Sequence, residues 1–284
     1  MSSEYLPPTV SDVVPNTGRP FAFEGLDVVE QYKHMRWDGS VESSLSALRA
    51  AAEHPGDEIS SETYWQPGRI LKGIIDSEID GEDKIELVGL TTEVALETLA
   101  QGPSPESIEG LRDVVHEYGL DGKRVYQRPD GVTATASSAD LSAAAAERIS
   151  SKIGDKPAII LPICYGGFSA GIETALYFQR AQGDTTVDVY PIRFSSNKYH
   201  DEVPLIDPAE RDMIAEQCGE KTVIVYDEDA FSGLTVAQVV GYLDEHLPKD
   251  ATIIGITNFD KRDDGDIRDF GEWWEKCRVD RDAL

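Results

Sequence analysis

Two acidic residues followed by small and hydroxyl residues stand at the end of one hydrophobic segment. The segment TVIVY leads into Asp227 and Glu228, and a short loop then reaches Thr235, where the helical segment VAQVVGYL begins. At a helix start, backbone N–H groups and hydroxyls of Ser232, Gly233 and Thr235 can hold a phosphate. Carboxylates one loop away suit sugar hydroxyls or the water shell of Mg²⁺. The alternative interpretation is a capped turn on an acidic surface.

A glycine pair follows a second hydrophobic segment, AIILPIC. Tyr165, Gly166 and Gly167 come directly after it and lead into another helical segment. Glycine allows backbone amides to approach a phosphate closely, because no side chain intervenes. The turn is therefore a candidate for a second phosphate site, and the alternative is simply a tight connection from strand to helix.

The second half of the chain alternates short β-branched segments with helical ones. This pattern predicts an α/β fold, in which a parallel sheet is flanked by helices on both faces. In such folds ligands bind in loops beyond the carboxyl ends of the strands. The predicted strands are residues 158–164, 186–194, 221–226 and 252–257, separated by helices at 169–181, 208–218 and 235–246.

The first half has a different pattern. Residues 1–20 are rich in proline and suit a tail or a strap on the surface. Apolar residues at helical spacing then predict a mostly helical N-terminal domain over residues 21–133, with helices at 40–54, 61–77, 91–100 and 104–118 and one strand at 84–90. Residues 128–138 are rich in Pro, Gly, Ser and Thr, so we place the boundary there and assign residues 134–284 to the α/β domain.

The composition restricts the partners that this chain can bind. It has 284 residues, with 53 Asp and Glu against 26 Lys and Arg, a formal net charge of −27. Such a charge disfavours general binding to nucleic acid or to anionic membranes, so an anionic ligand must be held locally. Dispersed acidity resembles the composition of cytoplasmic proteins from salt-accumulating, halophilic microbes.

The same sequence predicts a cytoplasmic protein. Cys164, Cys218 and Cys277 are odd in number and far apart, which favours reduced thiols over a disulfide framework or a zinc site. No apolar segment approaches the roughly 18 residues of a membrane span, and the first twenty residues lack the features of an export signal.

The segment VIVYDEDAFSGLT resembles the motif with which the type I phosphoribosyltransferases bind phosphoribosyl pyrophosphate (PRPP). The glycine pair, which comes before this segment with one strand-helix unit between them, resembles the pyrophosphate loop of the same family. The resemblance covers a little under half of the chain. It implies that Asp227 and Glu228 serve the ribose hydroxyls of PRPP and that Tyr165, Gly166 and Gly167 hold its pyrophosphate. By the same resemblance, the 5-phosphate is held by Asp229, Ala230, Phe231, Ser232, Gly233, Leu234 and Thr235.

The resemblance also implies a closing loop and a magnesium cofactor. Residues 195–207 stand where the family has a mobile loop, so Lys198, His200 and the preceding Arg193 are the candidates to meet pyrophosphate charge, Lys198 with a catalytic role. Mg²⁺ would be held mainly through PRPP and water, with no dedicated protein ligands. Residues 258–284, rich in aromatic side chains, are a possible hood over the acceptor, with packing anchors as the alternative.

Three positions depart from the family pattern. Tyr165 stands where a cation often precedes the glycine pair, and Asp229 where an apolar residue is usual. Phe231 stands where members acting on 6-oxopurines carry an Asp, which argues against such a base as acceptor.

The expected function is therefore transfer of the phosphoribosyl group of PRPP to an unidentified nitrogenous acceptor, with release of pyrophosphate. A homodimer is left open. The first alternative is a regulatory protein that senses PRPP or a nucleotide without catalysis. A more distant one is a phosphate-binding hydrolase that uses Asp227 as nucleophile.

Overall fold

The computed structural model describes residues 6–14, 17–54, 58–183, 185–195, 201–230 and 234–260. Its second half is an α/β fold with a five-stranded parallel sheet flanked by helices, as the alternating pattern predicts. The elements of this half are α7 (Gly131–Ala136), α8 (Ala139–Ile153), β3 (Ala158–Cys164), α9 (Gly167–Gln182), β4 (Val187–Val189), β5 (Ile192–Arg193), α10 (Pro208–Gln217), β6 (Thr222–Ala230), α11 (Leu234–His246) and β7 (Ile253–Asp260).

The strand order determines where a ligand can enter the sheet. The order is β4-β3-β6-β7, and β5 also pairs with β3. The connection from β3 to β4 therefore runs in one direction across the sheet and that from β6 to β7 in the other. Because such crossovers are right-handed, α9 and α11 lie on opposite faces. This leaves a crevice between the carboxyl ends of β3 and β6, which is where open α/β sheets bind ligands.

The described residues before 131 form helices and a small antiparallel ribbon that the sequence analysis missed. The ribbon pairs residues 37–40 with 124–127. The elements of this part are α1 (Val10–Val13), α2 (Val28–His34), β1 (Trp37–Ser40), α3 (Val41–Ala52), α4 (Ser61–Ile75), α5 (Gly81–Gln101), α6 (Pro105–Glu117) and β2 (Arg124–Gln127). Three of these helices, α1, α4 and α5, are in direct contact with α9.

The strand predicted at residues 84–90 is wrong, because this segment belongs to α5. The helix is in contact with α4, α6, α9 and α10, so Ile85, Leu87 and Val88 are all buried although they point in different directions. A helix that is buried on several sides has no polar face, so its sequence lacks the helical spacing of apolar residues. A short apolar segment of such a helix looks the same in sequence as a buried strand.

The segment before α1 lies along the outer strand of the sheet. Thr9 bridges Asp188 of β4, the Val189 N–H donates to the carbonyl of Pro8, and Thr9 Oγ1 donates to Asp188 Oδ1 at 2.7 Å. Residues 8 and 9 thus cover this edge of the sheet. Within the described ranges, none of the helices combines the length and the apolar character needed to cross a membrane.

Candidate functional site

The glycine turn and the acid pair meet in the crevice between β3 and β6. Tyr165 and Gly166 follow β3 directly, and Gly167 opens α9. Asp227 and Glu228 lie on β6, next to β3 in the sheet, with Tyr226 paired to Pro162. The two motifs that the sequence separates by more than one element are therefore neighbours in space.

Close packing explains why both residues of the turn are glycine. A Cβ atom on Gly166 would overlap the carboxylate of Glu228. A Cβ on Gly167 would lie 3.2 Å from Asp227 Cα and 3.2 Å from its Oδ1, which is tighter than ordinary contact. The turn therefore leaves no room for a side chain on the side that faces the acid pair.

The acid pair is buried and held in place. Asp227 is 9% exposed and Glu228 is 5% exposed. Thr133 Oγ1, on α7, donates to Glu228 Oε1 at 3.0 Å, and the Glu228 N–H donates to Asp227 Oδ1 at 3.1 Å. The second carboxylate oxygen, Glu228 Oε2, is buried and has no hydrogen-bond partner among the described residues. Since a buried acceptor without a donor is costly, this oxygen suits a hydroxyl or a water brought by a ligand.

A cluster of charged side chains borders the glycine turn on the β5 side. Arg193 pairs in register with Cys164, so its side chain is at the same edge of the sheet as the turn. Its guanidinium lies 3.5 Å from Asp76 Oδ1, and the hydroxyl of Tyr165 donates to the same oxygen. Lys72 Nζ is 2.7 Å from Asp76 Oδ2 and 3.8 Å from the centre of the Tyr165 ring.

Burial controls the ionisation of Cys164, the last residue of β3, and of Tyr165, which follows it. It raises the pKa of Tyr165, and the neighbouring carboxylate of Asp76 raises that pKa further. Burial also raises the pKa of Cys164 well above the usual range, with a further contribution from Asp227. Both side chains are therefore neutral at physiological pH, and Cys164 has none of the thiolate character of a reactive cysteine.

The candidate residues of the 5-phosphate loop are placed only in part. Leu234 and Thr235 open α11, as expected. Asp229 and Ala230, expected in the loop, continue β6 and pair with residues 259 and 260 of β7. The remaining candidates lie outside the described residues: Phe231, Ser232, Gly233, Lys198, His200 and, of the possible hood, residues 261–284.

Sequence reasoning missed three side chains of the site, Thr133, Lys72 and Asp76. Thr133 lies within the segment interpreted as an interdomain break, which in the structure forms α7 beside β6. Lys72 lies on α4 and Asp76 is the residue directly after this helix, about ninety residues before the turn that they border. Neither has a local signal that points to a phosphate site, since only the packing of α4 brings them there.

A buried carboxylic acid lies behind the site. Glu173 of α9 is 1% exposed and accepts a hydrogen bond from Ser142 Oγ at 2.7 Å. Burial raises the pKa of Glu173 to about 8, although the hydrogen bond from Ser142 lowers it. The side chain is therefore mostly protonated at neutral pH in the folded protein and ionised in the unfolded chain.

This difference gives Glu173 a defined effect on the pH dependence of stability. Because the folded state binds the proton more tightly, the contribution of Glu173 is fully present below about pH 4.5 and is lost as pH rises through about 8. We expect the free energy of unfolding of the wild type, minus that of Glu173→Gln, to fall by a few kcal/mol over this interval. Chemical denaturation of both proteins at several pH values and constant KCl measures this difference. A difference that stays constant from pH 5 to pH 8.5 would contradict the prediction.

The donor set of the crevice is compatible with magnesium held through a ligand. Within the described ranges, no three His, Cys, Asp or Glu side chains are grouped so that they could hold a metal ion. Carboxylate oxygens are nevertheless the ligands that Mg²⁺ prefers, and Glu228 Oε2 is available to a metal-bound water.

The site thus combines two buried carboxylates, a side-chain-free turn at a helix start and two cations beside it. Carboxylates of this kind can accept hydrogen bonds from hydroxyl groups of a ligand, and the turn can hold a phosphate beside them. Comparison of the chain with protein-family models and with curated proteins finds no match to either.

Proposed function

We propose that the protein is a PRPP-dependent phosphoribosyltransferase that transfers the phosphoribosyl group to a nitrogenous acceptor and releases pyrophosphate. The observation that carries the proposal is the contact between the glycine turn and the acid pair in the crevice. The two segments that resemble PRPP-binding motifs lie against each other at the carboxyl edge of the sheet, where open α/β sheets generally bind ligands.

Each part of the crevice has a distinct task in this proposal. Asp227 and Glu228 accept hydrogen bonds from the ribose hydroxyls, and Thr133 orients Glu228 for this purpose. The Gly166–Gly167 turn offers backbone amides to the pyrophosphate at the start of α9, and the start of α11 receives the 5-phosphate. Mg²⁺, when bound with PRPP, supplies positive charge against the leaving pyrophosphate.

The reaction needs no covalent intermediate on the protein. The bond between ribose C1 and the pyrophosphate oxygen breaks, its electron pair leaves with pyrophosphate, and the acceptor nitrogen forms the new bond to C1. The proton displaced from the acceptor passes to solvent or to a basic group. The protein contributes orientation, electrostatic stabilisation and exclusion of water.

A second candidate is a non-catalytic sensor of PRPP or a nucleotide. The observation that favours it is the engagement of Arg193, whose guanidinium lies near both Asp76 and Asp201. An arginine held between two carboxylates is less available to stabilise a leaving group. Release of pyrophosphate from PRPP in a screen of nitrogenous acceptors separates an enzyme from a sensor.

Calorimetric titration of PRPP with Mg²⁺ into the protein tests the shared binding site. We expect binding by the wild type and its loss in the Asp227→Asn/Glu228→Gln variant, because the ribose hydroxyls lose both charged acceptors. Asp244→Asn/Glu245→Gln removes the same adjacent pair near the other end of α11 and should bind as the wild type does. Molar KCl is used throughout, because the net charge is −27 and the excess acidic side chains repel one another at low salt, which destabilises the folded protein.

Two outcomes would contradict the proposal. One is a folded wild-type protein that does not bind PRPP under these conditions. The other is binding by the Asp227/Glu228 variant with the affinity of the wild type. Release of phosphate from a phosphoester, with no response to PRPP, would instead support a hydrolase that uses Asp227.

A further inference from the structure

Lys72 lies beside the glycine turn although it belongs to a distant part of the chain. It is on α4, its side chain is only 12% exposed, and its ammonium is over the ring of Tyr165 at 3.8 Å. The ammonium therefore contacts the side chain of the residue that directly precedes Gly166. A cation over an aromatic face is attracted to it, and more so when water is excluded.

Lys72 and Arg193 approach the turn from two regions and share one carboxylate. Asp76 lies between them, with Oδ2 at 2.7 Å from Lys72 Nζ and Oδ1 at 3.5 Å from the Arg193 guanidinium. Tyr165 donates its hydroxyl to Asp76 Oδ1. One carboxylate thus accepts hydrogen bonds from Lys72 and Tyr165 and forms an ion pair with Arg193, beside a turn that is itself suited to phosphate.

A helical pair alone does not explain this arrangement. Lysine and aspartate four residues apart often pair on helix surfaces, and such pairs contribute little. Here the pair is mostly buried and is extended by Tyr165, which follows β3, and by Arg193 of β5. The Lys72 and Arg193 side chains are 12% and 20% exposed, so both cations are partly withdrawn from water beside a turn whose backbone can hold an anion.

We propose that Lys72, together with Arg193, forms the diphosphate subsite, so that α4 supplies the cation absent at position 165. This inference rests on the proposed function, because it identifies the diphosphate as that of PRPP. Asp76 holds the two cations in place in the ligand-free protein and competes with the diphosphate for them. The region before residue 133 therefore contributes directly to the site.

Separate titrations of inorganic pyrophosphate, ribose 5-phosphate and PRPP, each with Mg²⁺ in molar KCl, test the subsite. We expect Lys72→Met to weaken binding of pyrophosphate and PRPP about tenfold or more, and to leave ribose 5-phosphate binding unchanged. Lys72→Arg should keep most of the affinity. The matched control is Lys33→Met, which also removes a lysine paired to a carboxylate on its own helix and should change none of the three.

Asp76→Asn distinguishes a ligand-binding role of Lys72 from a structural one. If Asp76 competes with the diphosphate, this variant binds pyrophosphate more tightly than the wild type. If Lys72 serves only to hold α4 against Tyr165, Asp76→Asn weakens binding or leaves it unchanged, and the inference is wrong.

The outcomes for the subsite and for the function are separable. Wild-type binding of PRPP, combined with equal pyrophosphate affinity of the wild type and Lys72→Met, overturns the subsite and leaves the function standing. A folded wild type that binds pyrophosphate but not PRPP overturns the function, while the Lys72→Met comparison still decides the subsite. A wild type that binds neither overturns both.

Discussion

Replacement of Lys84 by methionine is expected to lower the free energy of unfolding by about 3–5 kcal/mol at neutral pH. Lys84 of α5 is buried, with Nζ at 2.7 Å from Glu210 Oε2 and 3.6 Å from Asp207 Oδ2. Glu210 is 2% exposed and also accepts a hydrogen bond from the Tyr190 hydroxyl at 2.9 Å. Without the lysine, this carboxylate stays buried with no opposite charge, which is the costly case for a buried ion pair.

The pH dependence of this loss identifies its cause. Burial raises the pKa of Glu210, and Lys84 is what lowers it. In Lys84→Met the pKa of Glu210 rises further, so protonation should relieve the destabilisation as pH falls. Denaturant unfolding at pH 7 and pH 5 measures the change.

Two further variants isolate the buried pair. Lys84→Met/Glu210→Gln should recover part of the lost stability at pH 7, because the more deeply buried carboxylate is no longer charged and only the less buried Asp207 keeps its charge without Lys84. The exposed pair of Lys33 and Glu30 provides the control, since Lys33→Met should leave the free energy of unfolding unchanged within error. An equal effect of Lys33→Met and Lys84→Met would contradict the explanation.

Gly166→Ala is the second change with a large expected effect, on binding more than on stability. The added methyl group would overlap the Glu228 carboxylate, which Thr133 holds in place. Either the turn or the carboxylate must move, and we expect PRPP binding to be lost together with about 1–3 kcal/mol of stability. Calorimetry measures the loss of binding, and denaturant unfolding measures the loss of stability. The expected loss of stability does not depend on which ligand the crevice binds.

Gly68→Ala on α4 is the matched control. Its added Cβ would lie 3.5 Å from the Phe168 ring, an ordinary contact, and alanine is favoured over glycine in a helix interior by about 0.5–1 kcal/mol. We therefore expect unchanged binding and a small gain in stability. Binding of PRPP by Gly166→Ala with the affinity of the wild type would show that the close contact with Glu228 is not required.

The sheet could be predicted from the sequence because its strands are short apolar segments separated by turns and helices. Residues 158–164 form β3 as predicted. The strand predicted at 186–194 is two strands, β4 and β5, and β6 and β7 begin near the predicted positions but continue to residues 230 and 260. The same reasoning from apolar segments produced the wrong strand at residues 84–90, which are part of α5. An apolar segment indicates burial, and whether it is a strand or a helix depends here on the neighbours of α5.

The candidate site could be predicted where one short segment carries the chemistry. Asp227 and Glu228 lie near the carboxyl end of β6, and Gly166 and Gly167 come after β3, so the parallel strands bring them to one edge. Thr133 could not be found in this way, because it reaches Glu228 from a helix inside a segment whose composition suggests a break. Lys72 reaches the turn only through the packing of α4 on α9.

The segment over β4 has a consequence for association between molecules. An open sheet edge presents unpaired N–H and C=O groups on which another chain can add a strand. Pro8 and Thr9 occupy such groups of β4, and the prolines at positions 7 and 8 have no N–H to offer on their outer side. Proteolytic removal of this short segment would uncover a template for aggregation while leaving the central strands β3 and β6 paired.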